Sequence, residues 1–422
     1  MKKLSERSVT AFRARLRAWY ARHKRAMPWR GTRDAYRVWV SEVMLQQTRV
    51  AAVEPYYRRF MRRFPTLRAL ERAQSEEVLQ LWAGLGYYSR ARNLHRAARE
   101  IVAKHGGKFP REIGAALALP GVGRYTAAAV LSIAYGERLA VVDGNVARVV
   151  ARLEAMLGDL REARRWKRLE VKAQEWMGAE HARSNLRSEK RRLRAALHTK
   201  PGEWNQAMME LGATVCTPRA PRCGECPVAQ WCEARRMGVV EKIPPARKQR
   251  AAEKIEIAAA VLVDARGRTL LVKPEKAETN ALFSGMWQFP AVEIGKGAAG
   301  ELGQLLRELR VSRKKEQEER RKGGKEESEK TDAKTDWSAL GAVKHTVTYR
   351  ELTLRPYVAR VKVLPKVEGA RVVPLEELYK QEGGSKDSPL QNGNLPAVSS
   401  ATRKIARAAG KGLGVREGAA RR

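Results

Sequence analysis

The stretch LPGVGRYTAAAVLSIAYGERLAVVDGN, residues 119–145, sets the fold of this chain. It opens on a tight turn that contains Gly121 and Gly123, and its apolar spacing then predicts a helix over residues 124–135. Glycine lacks a side chain and can adopt positive φ, so the turn leaves backbone N–H groups bare at a helix start, where the dipole favours an anion. The turn therefore predicts a site for a nucleic-acid phosphate.

A carboxylate follows this turn closely in the sequence. The apolar run 139–142 leads to Asp143, and a second helix is predicted over residues 145–153. An aspartate directly before a helix is ordinarily an N-cap. Beside a phosphate site, the same carboxylate could instead act on a substrate. The spacing alone leaves both roles open.

The composition restricts the class of partner. The chain has 422 residues, enough for two or three domains, and its 84 Lys and Arg outnumber its 46 Asp and Glu, for a net charge of +38. Such an excess favours nucleic acid over an anionic membrane surface as the neutralising partner. No apolar run approaches the ~20 residues that span a bilayer, and no apolar core follows the N-terminal lysines. We therefore expect a cytoplasmic, nucleoid-associated protein without a membrane partner.

A second candidate carboxylate lies in the predicted helix DAYRVWVSEVMLQQTRVAA, residues 34–52. Its apolar stripe includes Val38 and Val43, with Trp39 beside it, and Glu42 lies within these surroundings. Desolvation raises the pKa of a carboxyl group, so Glu42 could hold a proton near neutral pH and serve as an acid. The periodicity also permits an ordinary glutamate on the solvent side of the helix.

All the cysteines of the chain lie in one short segment with the spacing C-x6-C-x2-C-x5-C. In a reducing compartment so tight a group indicates a metal site rather than disulfides. Four thiolates can hold either a zinc ion or an iron–sulfur cluster. The segment before them predicts a helix that ends at a glycine cap, Gly212. The four cysteines are Cys216, Cys223, Cys226 and Cys232.

Three other segments of the first half have distinct patterns. Residues 5–25 predict a basic amphipathic helix, which the proline of MPWRG ends. Residues 81–94 predict an apolar loop whose aromatic rings either pack in the core or insert into a base stack. Residues about 178–203 form a strongly basic insertion, which we expect to be solvated.

The sequence changes from helical to strand patterns near residue 255. The predicted strands are IEIAAAVLV, TLLVK, MWQFPAVE, ALGAVKHTV and ELTLRPYVARVKV. Helical residues are predicted around 300–310, a charged insertion at about 312–336 and a last helix over 399–409. The predicted divisions are a helical domain over 1–235, a linker over 236–254, an α+β domain over 255–410 and a flexible tail over 411–422.

Three motifs carry a family resemblance. LPGVGRYTA, VDGNVARV and SEVMLQQT closely resemble the helix-hairpin-helix DNA glycosylases of base excision repair, and the form with Tyr125 resembles the adenine DNA glycosylase (MutY) family. The resemblance implies an all-α helix-hairpin-helix domain. It implies that Glu42 is the general acid, that Asp143 stabilises the cationic sugar, and that Tyr125 and Asn145 position sugar, water and carboxylate.

The resemblance also implies binding residues. The implied adenine pocket consists of Arg25, Trp29, Arg30, Leu45 and Glu210. The implied contacts with DNA and the lesion come from Gln47, Thr48, Leu85, Tyr87, Gly121, Val122, Gly123 and Thr348. The cysteine spacing resembles the iron–sulfur loop of the endonuclease III and MutY families, which favours a [4Fe–4S] cluster that fixes a basic loop against phosphate.

The second half resembles another part of the same family. GMWQFP and the strand order resemble the Nudix-type C-terminal domain of MutY proteins. The metal-binding Nudix helix needs clustered glutamates, whereas GELGQLLRELR has scattered acids, so we expect no pyrophosphatase activity. HTVTY, residues 345–349, aligns with the lesion-reading loop. Where the commoner family version has Phe-Ser-His, this chain has Val347, Thr348 and Tyr349, and Thr348 still offers a hydroxyl.

The resemblance predicts a monofunctional adenine DNA glycosylase. Bifunctional relatives resembling endonuclease III carry a lysine where this chain has Tyr125, and a phenol cannot form their Schiff base. The expected substrate is duplex DNA with adenine opposite 8-oxoguanine or guanine, bound by a monomer. The alternatives are a bifunctional endonuclease III-like glycosylase and lyase, and a catalytically silent DNA-binding protein. The presence of both Glu42 and Asp143 argues against a silent protein.

Overall fold

The computed structural model describes residues 6–178, 200–246, 251–273, 286–294, 337–347, 349–380 and 396–414. The chain divides into two compact units, one formed by Met1–Val78 and Tyr87–Lys248 and the other by Leu79–Gly86 and Gln249–Arg422. Several predictions lie outside the described residues: most of the basic insertion at 178–203, the helix around 300–310, the charged insertion at 312–336, Thr348, and the tail beyond residue 414.

Helices follow one another along the first half of the chain. They are α1 Glu6–His23, α2 Ala35–Leu45, α3 Val50–Arg63, α4 Leu67–Arg72, α5 Ser75–Trp82, α6 Tyr88–His105, α7 Ile113–Leu117, α8 Arg124–Val130, α9 Gly144–Leu153, α10 Ala163–Met177, α11 Pro201–Thr214 and α12 Glu233–Arg236. A wider π-helical turn, Leu131–Tyr135, extends α8 and ends at Gly136, where φ is 77°. The helix predicted over 124–135 is therefore confirmed. Across the described part of the chain, every helix is too short or too polar to span a bilayer.

The helix predicted over 34–52 is in fact two helices. Asp34 caps the first by accepting hydrogen bonds from the N–H groups of Tyr36 and Arg37. The chain leaves helical geometry after Leu45, and Gln47 takes a left-handed conformation with φ of 55°. Periodicity did not reveal this break because apolar residues continue on both sides of it.

Gly212 does not end its helix as predicted. α11 continues two residues beyond it, to Thr214. A Cβ at this position would come within 2.8 Å of the Asn145 Cβ and 2.9 Å of the Asn145 carbonyl oxygen. The glycine is therefore needed for the close approach of α11 to the start of α9, and not for a helix cap.

A buried asparagine holds the segment that leads to Asp143. Asn205, on α11, accepts a hydrogen bond from the N–H of Val141 at 3.0 Å. Its amide donates to the Leu139 carbonyl and to the Ser132 hydroxyl, both at 2.8 Å. These three bonds satisfy a polar group that is 1% exposed and fix the apolar run before Asp143.

The basic helix predicted over 5–25 forms α1, and its apolar face is buried. Phe12 and Leu16 are fully buried in a core shared with α9, α10 and α11. The Phe12 ring meets Trp176 edge to face at a centroid distance of 4.6 Å. Burial of this face anchors α1 and leaves its charged residues on the outside.

The second unit contains a mixed β-sheet. Its strands are β1 Glu253–Val263, β2 Arg268–Leu271, β3 Ala291–Glu293, β4 Ser338–Ala339, β5 Val343–Val347, β6 Arg350–Arg360 and β7 Arg371–Pro374, and its helices are α13 Glu377–Lys380 and α14 Ser400–Gly412. Among the described residues the sheet order is β4-β6-β1-β2-β7, with β3 also paired to β1 and β5 to β6. β1 pairs with β6 in parallel along its whole length, and the other pairings are antiparallel.

The structure corrects details of this unit. Each predicted strand segment contributes to the sheet, but β7 was not predicted, since its four residues are too short for a periodic signal. The last helix runs to Gly412, so Lys411 and Gly412 belong to α14 and not to the predicted tail. α14 packs its apolar face, including Ile405, into the core of the sheet.

Candidate active site

Glu42 is buried on α2, with 5% of its surface exposed. The solvent-side alternative for this residue is therefore wrong. The Tyr125 hydroxyl donates a hydrogen bond to Glu42 Oε2 at 2.5 Å. Burial raises the pKa of Glu42 to about 7, and the charge of Asp143 raises it too, while the Tyr125 hydrogen bond and the charge of Arg30 lower it. Near neutral pH a substantial part of this carboxyl is protonated, as a general acid requires.

Asp143 is the N-cap of α9. Its Oδ1 accepts a hydrogen bond from the Val146 N–H at 2.7 Å, and its Oδ2 accepts one from Asn145 Nδ2 at 3.0 Å. Burial raises the pKa of Asp143, and these two bonds oppose the rise. The capping role is confirmed, and it coexists with a position close enough to Glu42 to alter its pKa. The two predicted carboxyl groups therefore share one site.

Tyr125 lies on the first turn of α8, and its hydroxyl group contacts Glu42. Burial raises the pKa of Tyr125 well above its usual value, and the charges of Glu42 and Asp143 add to the effect. The phenol is therefore a neutral donor. Met209, which the sequence did not single out, places its sulfur 3.7 Å from the same hydroxyl.

Three residues of the predicted adenine pocket form one ion cluster. Glu210 is 1% exposed, and Arg25 donates to it from Nε at 2.7 Å and from Nη2 at 3.0 Å. Arg30 donates to the same carboxylate from Nη2. Burial alone would raise the pKa of Glu210, but the bonds from the two arginines outweigh it and lower the pKa. The cluster lies beside the candidate acid, since Arg30 also lowers the pKa of Glu42.

The other two pocket residues have different surroundings. Trp29 is buried and its ring meets Tyr57 edge to face at 5.2 Å, so it is a packed aromatic. Leu45 is the last residue of α2 and is half-buried. Of the two, Leu45 has the side chain that a substrate could reach.

The glycine turn before α8 differs in part from its prediction. Gly121 has a φ of 74°, and a Cβ there would lie 2.7 Å from the Asn93 Cβ, so this position requires glycine. Gly123 has a φ of −89° and caps α8 in an extended conformation, so it does not need positive φ. Val122 is buried and its N–H donates to the Leu119 carbonyl, so that N–H already has a partner within the protein. The contact of Val122 with DNA stays a prediction. Gly121 and Gly123 are exposed, and their role in binding phosphate stays a prediction.

The residues predicted to face the opposite base or to insert into the base stack lie in two turns, each of which contains a residue in the left-handed conformation. Gln47 is exposed with φ of 55°, and Thr48 beside it is half-buried. Tyr87 has φ of 50° and is 41% exposed at the start of α6, whereas Leu85 is buried. The interpretation as a core residue therefore applies to Leu85, whereas Tyr87 is exposed and is free of the core, as insertion into a base stack would require.

The four cysteines line one cavity, together with apolar residues of α9 and α11. Each is half-buried. Among the described residues, no group of three His, Cys, Asp or Glu side chains is arranged to hold a single metal ion. Burial raises the pKa of Cys226 to about 12, so the sulfur needs a coordinating metal to be a thiolate. The site fits a bound iron–sulfur cluster.

Two arginines of α9 connect the candidate site to this loop, and sequence analysis missed both. Arg148 donates to Asn145 Oδ1 at 3.0 Å and to the Cys216 carbonyl at 2.8 Å. Arg152 is 1% exposed and donates to the carbonyls of Thr217 and Ile243, both at 2.7 Å. The available signal was a pair of arginines four residues apart on a largely apolar helix. A buried arginine needs hydrogen-bond partners, so this pair could have predicted bonds to a neighbouring segment.

Comparison with protein families agrees with this geometry. A model described as the HhH-GPD superfamily base excision DNA repair protein matches residues 40–174. A second, described as the iron-sulfur binding domain of endonuclease III, matches residues 216–232. Fold and site therefore define a helix-hairpin-helix protein of the base excision DNA repair superfamily. The prediction of an iron–sulfur cluster rather than zinc is confirmed.

Comparison with individual relatives identifies the family within this superfamily. The chain is 49% identical to the adenine DNA glycosylase of Homo sapiens over 236 residues, which cover 54% of this chain and 40% of that protein. For the adenine DNA glycosylase of Rattus norvegicus the identity is 38%, covering 71% of this chain and 64% of that protein. For that of Schizosaccharomyces pombe it is 31%, covering 68% and 70%. This chain belongs to the adenine DNA glycosylase family, and it spans 40% and 64% of the human and rat relatives' length.

Proposed function

We propose that this chain is a monofunctional adenine DNA glycosylase, which hydrolyses the N-glycosidic bond of adenine opposite 8-oxoguanine or guanine in duplex DNA. The observation that carries the proposal is the pair of carboxyl groups: Glu42 is buried and hydrogen-bonded to Tyr125, and Asp143 is half-buried and close enough to raise the pKa of Glu42. Glu42, with a pKa of about 7, can donate a proton, and Asp143 lies close enough to act on the same substrate.

The chemistry follows from the different surroundings of the two groups. The adenine must leave the base stack to reach them. Glu42 protonates the adenine at N7, so that a neutral base leaves. Positive charge then develops on the deoxyribose, and the Asp143 carboxylate, which accepts hydrogen bonds from Val146 and Asn145, stabilises it. Water completes the hydrolysis and leaves an abasic site.

The same proposal assigns the DNA contacts. The exposed backbone of the glycine turn binds phosphate, Tyr87 enters the base stack, and Gln47 with Thr48 faces the opposite base. Cys216, Cys223, Cys226 and Cys232 would hold the iron–sulfur cluster, which would fix the cysteine loop so that Arg219 and Arg222 face phosphate. The second unit is a Nudix-like domain that reads the lesion, with Thr348 as the contact residue. The partner is duplex DNA, bound by a monomer.

Duplexes with adenine opposite 8-oxoguanine, guanine or thymine test the proposal. The protein should produce alkali-labile breaks at the adenine in the first two duplexes and few in the third. Because a monofunctional enzyme leaves the strand intact, breaks should need alkali. Binding of all three duplexes without any base release would instead favour the catalytically silent alternative.

Tyr125→Lys should add a strand-cleaving activity. An amine at this position would lie where the sugar C1 is exposed after base loss, and it could form the Schiff base that a phenol cannot. Borohydride should therefore trap a covalent complex with DNA for this variant and not for the wild type. Tyr135→Lys is the control, since the Tyr135 hydroxyl bonds to the Phe109 carbonyl instead of Glu42. Equal trapping of both variants, or of neither, would count against the position assigned to Tyr125.

Tyr125→Phe should shift the pH profile of adenine release. The Tyr125 hydrogen bond lowers the pKa of Glu42, so its loss should raise that pKa above about 7. Because Glu42 acts when protonated, the rate falls as pH rises through its pKa, and this alkaline limb should move to higher pH. Single-turnover rates between pH 5.5 and 9 measure the limb, with Tyr135→Phe as the control. A limb that stays in place or moves to lower pH would contradict the assignment.

A further inference from the structure

Arg90 is a buried arginine that holds the end of the helix carrying Glu42. It lies on α6 and is 8% exposed. Its Nη1 is within hydrogen-bonding distance of three carbonyl oxygens at the end of α2: those of Val43 and Met44, both at 3.0 Å, and that of Gln46. The last carbonyls of a helix have no partner within it. Arg90 supplies that partner from another helix.

The same side chain reaches two exposed turns. Its Nη2 donates to Thr48 Oγ1 at 3.2 Å, next to the left-handed Gln47. Its guanidinium lies 5.2 Å from the centroid of the Tyr87 ring, which is 41% exposed. Burial lowers the pKa of Arg90 to about 10, which leaves the group charged at neutral pH. One cation thus contacts both the turn after α2 and the aromatic residue before α6.

α6 also supports the glycine turn. Asn93, one helical turn beyond Arg90, lies against Gly121, where an added Cβ would be 2.7 Å from the Asn93 Cβ. The polar cavity between these elements is lined by Arg90, Asn93 and Gly121, together with Gln46 of the turn after α2. The turn after α2, Tyr87 and the glycine turn therefore all contact residues on one face of α6.

We propose that Arg90 is a positioning residue that determines opposite-base discrimination, by fixing the Gln46–Thr48 turn and Tyr87 relative to Glu42. The inference rests on the proposed glycosylase function. Left-handed turns of non-glycine residues are held only by their surroundings, and Gln47 and Tyr87 both adopt that conformation. A guanidinium can donate to several carbonyls and a hydroxyl at once, whereas a lysine ammonium lacks the planar fork.

The test compares Arg90→Lys and Arg90→Met with a matched control. The control is Arg99, on the exposed side of the same helix, whose guanidinium also donates to backbone carbonyls, those of Glu71 and Ala73. Single-turnover rates are measured on duplexes with adenine opposite 8-oxoguanine and opposite guanine, together with melting temperatures. Arg90→Lys retains the charge and should fold even if Arg90→Met does not.

Arg90→Lys should change the ratio of the two rates by about 5- to 20-fold while its melting temperature stays within about 5 °C of wild type. The ratio for Arg99→Lys should stay within about twofold of wild type, since its bonds lie away from the turns. A uniform loss on both duplexes, or an unchanged ratio in Arg90→Lys, would overturn the inference and leave the proposed function intact. Failure of the wild type to release adenine from any duplex would overturn both.

Discussion

Glu42→Gln should lower the single-turnover rate of adenine release by about 10²–10⁴-fold, the contribution expected of a general acid. The amide cannot donate the proton that makes adenine a neutral leaving group. It keeps the shape of the carboxyl, and its oxygen can still accept the hydrogen bond from Tyr125. DNA affinity should therefore remain close to that of wild type, and the loss should appear in the chemical step alone. The rate and the affinity for a duplex with an uncleavable adenine analogue measure the two effects separately.

A matched variant tests whether the loss of rate is specific to Glu42. Glu54→Gln makes the same chemical change on α3, where the glutamate is exposed and paired with Arg58. Its rate should remain within about twofold of wild type, because exposed ion pairs contribute little. Should Glu42→Gln retain wild-type activity, Glu42 would not be the acid, and the proposed mechanism would have to be abandoned.

Asp143→Asn should lower the rate by about 10²–10³-fold, the loss found when one group that stabilises transition-state charge is removed. Asparagine is also a good N-cap, so its side-chain oxygen can keep the bond from the Val146 N–H and α9 should still start at the same residue. What disappears is the negative charge next to the developing cation. The prediction therefore separates the two roles of Asp143, because the cap survives and the charge does not.

Circular dichroism melting and single-turnover kinetics together decide this prediction. A melting temperature near that of wild type with a large loss of rate supports the electrostatic role. Asp159→Asn is the comparison, since Asp159 is an exposed aspartate that bonds to Arg161. If Asp143→Asn were as active as Asp159→Asn, the residue would be only a helix cap.

The sequence predicted the two candidate reacting groups better than the residues that hold them in place. Glu42 and Asp143 each lie in a local pattern, one within an apolar helical stripe and the other before a helix start, and local patterns are visible in a sequence. The hydrogen bond from Tyr125 to Glu42 joins segments distant in the chain. Its geometry could be expected only through the family resemblance, since periodicity does not place two helices relative to each other.

Residues that hydrogen-bond to backbone groups of distant segments could not be predicted from the sequence. Arg90 and Arg148 donate to carbonyl groups of other segments, and a carbonyl has no sequence signature. Gly212 was mistaken for a helix cap because glycine serves both to end helices and to let two of them approach closely. Only the neighbouring Asn145 distinguishes these uses, and its proximity is a property of the fold.

The contacts of Gly212 and Asn205 determine how α11 is positioned against the elements around Asp143. Asn205 bonds to the segment before Asp143, and Gly212 lies against Asn145 directly after it. A side chain added at residue 212 would therefore push α11 away from the start of α9. It would also displace Glu210, two residues earlier on the same helix, so a change far from any reacting atom would alter the geometry of the whole candidate site.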